Sequence, residues 1–125
     1  MRTKILVIED NEQNMYLTTF ILQKHNFQVI QANNGIDGIE IASQEKPALI
    51  LLDIQLPVMD GYSVARELRK NPASADIPIV AITSYAMPGD REQALQAGCT
   101  GYIEKPINPE TFINEIRQYL RADNP

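Results

Sequence analysis

Short uninterrupted apolar runs alternate along this chain with segments whose apolar residues recur every three or four positions. The runs are Lys4 to Ile8 (KILVI), Leu49 to Leu52 (LILL) ahead of Asp53, and Ile77 to Ile82 (IPIVAI) ahead of Thr83, with a further strand read over Thr100 to Glu104 ahead of Lys105. Unbroken runs of this length, bounded by turn signals, predict strands buried on both faces, as at the centre of a parallel sheet. Phe27 to Ala32 (FQVIQA) alternates instead, which predicts an edge strand.

The intervening segments predict helices. From Glu12 to about His25, Met15, Leu17, Ile21 and Leu22 fall on one face, with Asn11 as cap and Asn26 as stop. After the Asn34-Gly35 turn, Ile36, Ile39 and Ala42 recur until Pro47. Gly61, Val64, Ala65 and Leu68 follow the i, i+3, i+4, i+7 rule, and Asn71 with Pro72 ends that helix. A weaker helix is expected from about Pro88 to Ala97, with Gly98 after it. Asn108 caps the last one, Pro109 takes its first position, and Phe112, Ile113, Ile116 and Leu120 line one side. Strand and helix therefore alternate five times. The fold class expected is a doubly wound α/β domain, a parallel five-stranded sheet with helices on both faces, because each right-handed crossover lays its helix against a face.

The polar residues that follow the strands carry the chemistry. Strand one ends in Glu9 and Asp10, strand three in Asp53, strand four in Thr83 and strand five in Lys105. In a parallel sheet these ends share one rim, where ligands of open α/β sheets bind. Three carboxylates together repel, each pair by on the order of 4 kcal/mol at about 4 Å and an effective dielectric near 20. Lys105 supplies one positive charge against three negatives, so the site calls for a divalent cation. An all-oxygen donor set with room for water and phosphate oxygens favours Mg2+. A metal, an ammonium, a hydroxyl and a carboxylate nucleophile are the parts that phosphoryl transfer needs.

Composition narrows the field without naming a function. The 125 residues suffice for one domain with a real core, and the whole chain, 1–125, is expected to be that single domain with no output domain after it. A net charge of -5 and no basic cluster argue against direct nucleic-acid binding. The single cysteine, Cys99, excludes an internal disulfide and fits a reducing compartment. Neither a secretory signal nor a membrane-spanning run is present, and a cytoplasmic protein is expected. His25 reads as a solvated residue, Cys99 as a small buried one, and Met15, Met59 and Met87 as packing.

With these residues in view, the chain resembles the receiver domains of two-component response regulators over essentially its whole length. The acidic pair Glu9-Asp10, Asp53 in DIQLPVMDG, Thr83 after IPIVAI and Lys105 before Pro106 carry the likeness. Segments DIQLPVMDG, AMPGD and AGCTGYIEKPI are most similar to stand-alone cell-cycle regulators and to receivers of hybrid histidine kinases. The resemblance implies the flavodoxin-like strand order 2-1-3-4-5. It also implies that Asp53 accepts a phosphoryl group from a histidine kinase or phosphotransfer protein. Asp10, Asp53 and the backbone carbonyl of Gln55 would ligate Mg2+, with Glu9 holding a metal-bound water. Lys105 would pair with the phosphoryl group, Thr83 would rotate toward it, and Tyr102 would turn inward as the switch aromatic. The Lys105-Pro106 bond is expected to be cis. The switched surface, helix four, strand five and helix five, would address a downstream protein, the molecule being a monomer or weak dimer.

Two departures from the family pattern stand out. Ser84 occupies a position commonly held by alanine. Gln55 and Tyr85 lie two past the aspartate and two past the threonine, where side chains tune water access and phosphate lifetime, and Tyr85 is expected to shield the phosphoryl group.

Rival functions are weaker. A flavin carrier would need a hydroxyl- and glycine-rich loop where Glu9, Asp10, Asn11 and Glu12 stand. An aspartate-nucleophile phosphatase would need a second acid where Gln55 stands. The third alternative is a receiver-like interaction module that works without phosphorylation.

Overall fold

The computed structural model describes residues 2–84 and 88–122. Within them the elements alternate as β1 (Lys4–Ile8), α1 (Glu12–Lys24), β2 (Gln28–Ala32), α2 (Gly35–Glu45), β3 (Leu49–Asp53), α3 (Gly61–Lys70), β4 (Ile79–Thr83), α4 (Asp90–Ala97), β5 (Gly101–Glu104) and α5 (Pro109–Ala122). All strand pairs are parallel, and their order is β2-β1-β3-β4-β5. The α/β class, the five-stranded sheet and its order are those expected. β3 is central and every one of its residues is buried, which is why LILL carries no polar break. β2 lies at the edge and keeps polar Gln28 and Gln31 in solvent.

Two apolar layers sandwich the sheet. One joins Leu6, Ile8, Ile50, Leu52 and Ile79 to Ala42 of α2, Val64 and Leu68 of α3 and Ala94 of α4. The other joins Ile5, Val7, Leu49, Leu51 and Val80 to Met15, Ile21 and Leu22 of α1 and Phe112, Ile113 and Ile116 of α5. Alternate residues of each strand thus serve opposite layers, and each fully buried Leu or Ile contributes about 1.5–3 kcal/mol.

Several sequence expectations shift in detail. Leu17 is largely exposed and Thr18 takes the inward position on α1. Ile36 is 62% exposed, because α2 docks through Gly35, Gly38 and Ala42 instead. A Cβ on Gly38 would lie 2.5 Å from the Ile8 side chain, so the helix approaches β1 more closely than a branched residue permits. β4 starts at Ile79. Pro78 stays outside it, and its carbonyl accepts from Ile50 N at 3.0 Å. α4 starts at Asp90, two residues later than expected, after Gly89 in the left-handed region and with no side-chain cap. The C-terminal Gly98 of α4 is left-handed as expected, and Asn108 Oδ1 accepts from Glu110 N at 3.1 Å to cap α5.

One tie was not foreseen. Arg69, in the last turn of α3, donates from Nε to Gly98 O (2.8 Å) and from Nη1 to Ile77 O (2.6 Å) and Ala75 O (3.0 Å). It joins the α3–β4 loop to the end of α4, and a guanidinium satisfies carbonyls more strongly than a neutral donor does.

Candidate functional site

Parallel register brings the polar residues together. Ile8 pairs with Leu52, Asp53 with Ile82, and Thr83 with Glu104, so β1, β3, β4 and β5 all leave the sheet at one edge. Glu9, Asp10, Asp53, Thr83 and Lys105 stand at that edge. Short backbone bonds fix the exits: Glu9 N donates to Ala32 O (3.0 Å), Ile54 N to Ile82 O (3.0 Å) and Lys105 N to Thr83 O (2.8 Å). The Lys105-Pro106 bond is cis.

Glu9 and Asp53 are each about 5% exposed, whereas Asp10 faces solvent. One oxygen of each of the three carboxylates lies within 4.8 Å of the others. Lys105 Nζ donates to Glu9 Oε1 at 2.8 Å and lies 3.7 Å from Asp53 Oδ2. The remaining oxygens are also engaged, Glu9 Oε2 accepting from Asn11 N (3.3 Å) and Asp53 Oδ1 from Gln55 N (3.0 Å). Burial, and then the neighbouring Asp53, push the Glu9 carboxyl above its usual range, and Lys105 opposes the rise only in part. That imbalance is the electrostatic signature of a site short of positive charge. An oxygen-only cluster of this kind fits a hard divalent cation.

Gln55 does more than its sequence position suggested. Its Nε2 donates to Thr83 Oγ1 at 2.7 Å and its Oε1 accepts from Ser84 N at 3.2 Å. Thr83 is about 1% exposed while Ser84 is open to solvent. Only a position count pointed to residue 55, and no periodicity distinguishes a bonded glutamine from a solvated one. Tyr85 lies outside the described residues.

Tyr102 is not among the carboxylates. It is half-buried against the layer that holds α3 and α4. Burial, and then Asp90 and Glu104, raise its hydroxyl's pKa. Nearby, Tyr62 donates to Asp90 Oδ1 at 3.4 Å and is pushed up to about 12, first by burial and then by Asp90. Cys99 is buried, as expected, and its thiol is pushed up to about 11 by burial. His25 is exposed. Beside the acidic cluster, a cleft of about 250 Å3 is lined by Glu9, Asp10, Met15 and Tyr16. Tyr16 (71% exposed) stacks on Phe20 (53% exposed), ring centroids 6.3 Å apart.

Residues 5–117 match the family model described as the response regulator receiver domain. The chain is 38% identical over 120 residues to the polar-differentiation response regulator DivK of Brucella anthropi, covering 96% of this chain and 98% of that relative. Among solved structures, the receiver domain of the sensor histidine kinase PA1611 from Pseudomonas aeruginosa superposes with a TM-score of 0.90 at 33% identity, over 97% of this chain and 99% of that one. That structure holds a magnesium ion in its active-site cleft. The BeF3-activated receiver domain of Klebsiella pneumoniae RstA gives a TM-score of 0.87 at 34% identity, over 95% and 99% of the two chains.

Proposed function

The chain belongs to the receiver domains of two-component response regulators, and from that footing we propose that Asp53 accepts a phosphoryl group from a phosphohistidine on a histidine kinase or phosphotransfer protein. The observation that carries this reading is the placement of Asp53: buried, tethered by Gln55 N, 3.7 Å from the Lys105 ammonium and clustered with Glu9 and Asp10. A carboxylate so held is oriented for attack.

Glu9, Asp10, Asp53 and the backbone carbonyl of Gln55 would hold Mg2+, which when bound neutralises charge on the phosphate oxygens. An oxygen of Asp53 forms the new O–P bond as the P–N bond to the donor imidazole breaks, and the imidazole nitrogen keeps the electron pair. Lys105 lies close enough to turn from Asp53 to the new phosphoryl group. Thr83, at the adjacent strand end, offers its hydroxyl to a phosphoryl oxygen. Contacts made only in the phosphorylated arrangement bias a two-state element, with Tyr102 reporting the change at the α4, β5 and α5 surface. A downstream protein reading that surface completes the switch.

The phosphatase alternative loses support, because the Gln55 side chain is bonded to Thr83 and Ser84 and carries no acid for a leaving group. Among the described residues, no helix is long and apolar enough to cross a membrane.

Acetyl phosphate with Mg2+ is expected to add one acid-stable, hydroxylamine-labile phosphoryl group per chain. Chelating the metal abolishes the labelling, and so does Asp53→Asn. Labelling that persists in Asp53→Asn refutes the assignment, and a chain that never labels favours the interaction-module reading.

A further inference from the structure

Residue 55 touches three polar groups of the rim at once. Its backbone N–H holds Asp53 Oδ1, while its side-chain amide donates to Thr83 Oγ1 (2.7 Å) and accepts from Ser84 N (3.2 Å). The register that pairs Asp53 with Ile82 sets the ends of β3 and β4 side by side, so an amide on the first can span the end of the second. Gln55 is itself exposed, and nothing about packing requires these two hydrogen bonds.

We propose that the Gln55 side chain is a clasp that holds Thr83 and Ser84 in the unphosphorylated arrangement and must open before a phosphoryl group on Asp53 can engage them. The inference rests on the phosphoacceptor reading of Asp53. A new phosphoryl group presents acceptor oxygens beside Asp53, and the nearest donors at the end of β4 are the Thr83 hydroxyl and the Ser84 N–H. The Ser84 N–H cannot serve Gln55 Oε1 and a phosphoryl oxygen with full strength at the same time. Thr83 Oγ1, fixed by the Gln55 donor, cannot move toward Asp53 without losing that bond. Gln55 is therefore a positioning residue that sets how much of the phosphoryl group's contact energy goes into opening. Opening exchanges two neutral hydrogen bonds for water, so the equilibrium is held back by about tenfold.

The test uses Gln55→Met, which keeps length and the backbone carbonyl but neither donates nor accepts, and Gln55→Asn, which keeps the amide but is one methylene too short to span both groups. In the metal-free protein the exposed Ser84 amide is expected to exchange its hydrogen about tenfold faster in both variants. Beryllofluoride with Mg2+, a phosphoryl mimic that needs no donor and does not hydrolyse, is expected to bind both about tenfold more tightly than wild type, as read by fluorine NMR titration. Unchanged Ser84 exchange, or beryllofluoride affinity equal to or weaker than that of wild type, overturns the clasp. A wild-type chain that binds no beryllofluoride at all instead overturns the phosphoacceptor reading, so the two failures are distinguishable.

Discussion

Replacing Lys105 by methionine removes the cation that Glu9 and Asp53 share, while keeping the length of the side chain. Lys105 Nζ lies 2.8 Å from Glu9 Oε1 and 3.7 Å from Asp53 Oδ2, and the Lys105 and Glu9 side chains are only 12% and 6% exposed. Breaking a buried pair by deleting one partner costs about 3–5 kcal/mol. Solvent reaches this cluster through Asp10, so the loss belongs at the lower end, about 3 kcal/mol. For a chain of this length that lowers Tm by about 10 °C.

The loss depends on pH in a definite direction. Burial and Asp53 already hold the Glu9 carboxyl above its usual range, and without Lys105 it rises further. An acid whose folded pKa is raised contributes stability below its unfolded pKa and loses it as pH rises through the folded pKa. The deficit of Lys105→Met is therefore smaller at pH 5 than at pH 8 and grows as pH rises, because the shift of Glu9 is upward. Thermal melts followed by circular dichroism in EDTA at both pH values measure it. Added Mg2+ raises the melting temperature of the variant more than that of wild type, because the carboxylates no longer share their oxygens with an ammonium. Equal melting of variant and wild type at pH 8 in EDTA, or a deficit that does not grow with pH, would refute the account of Lys105 as the counter-charge of a site short of one.

Gly61→Ala is expected to cost about 2–3 kcal/mol in urea melts, since its Cβ would sit 2.6 Å from both Asp53 O and Ile54 Cα, backbone atoms that cannot move without displacing Asp53. A cost below about 1 kcal/mol would show that the loop after β3 is looser than its packing indicates. Phe20→Ala, which removes half of the exposed Tyr16–Phe20 stack beside the acidic cleft, should slow phosphotransfer from a protein donor about tenfold, as a truncated interface aromatic does. It should leave labelling by acetyl phosphate unchanged, and equal slowing with both donors would place Phe20 in the fold instead of at the donor interface.

Most of the architecture was legible because buried parallel strands admit few polar residues. KILVI, LILL and IVAI could only be central strands, and β2 announced its edge position by alternating. Where the pattern misled, size decided. Ile36 looked like a core position by spacing, but α2 packs through Gly35 against Val64 of α3 and through Gly38 against Ile8 of β1, and a face made of glycines gives no hydrophobic signal. Arg69 was equally silent, since a basic residue near a helix C-terminus reads the same in solvent as when bound to the carbonyls of two loops.

The chain alone determined that Glu9, Asp10, Asp53, Thr83 and Lys105 follow strands and so meet at one rim, because side-chain period and strand polarity are local properties. Only the tertiary structure decided how those groups divide the available partners: Lys105 bound chiefly to Glu9, and Gln55 reaching across to Thr83 and Ser84. Hydrogen bonds between residues dozens of positions apart depend on distances of a few tenths of an ångström between loops. Those distances follow from register and packing, which no local pattern records.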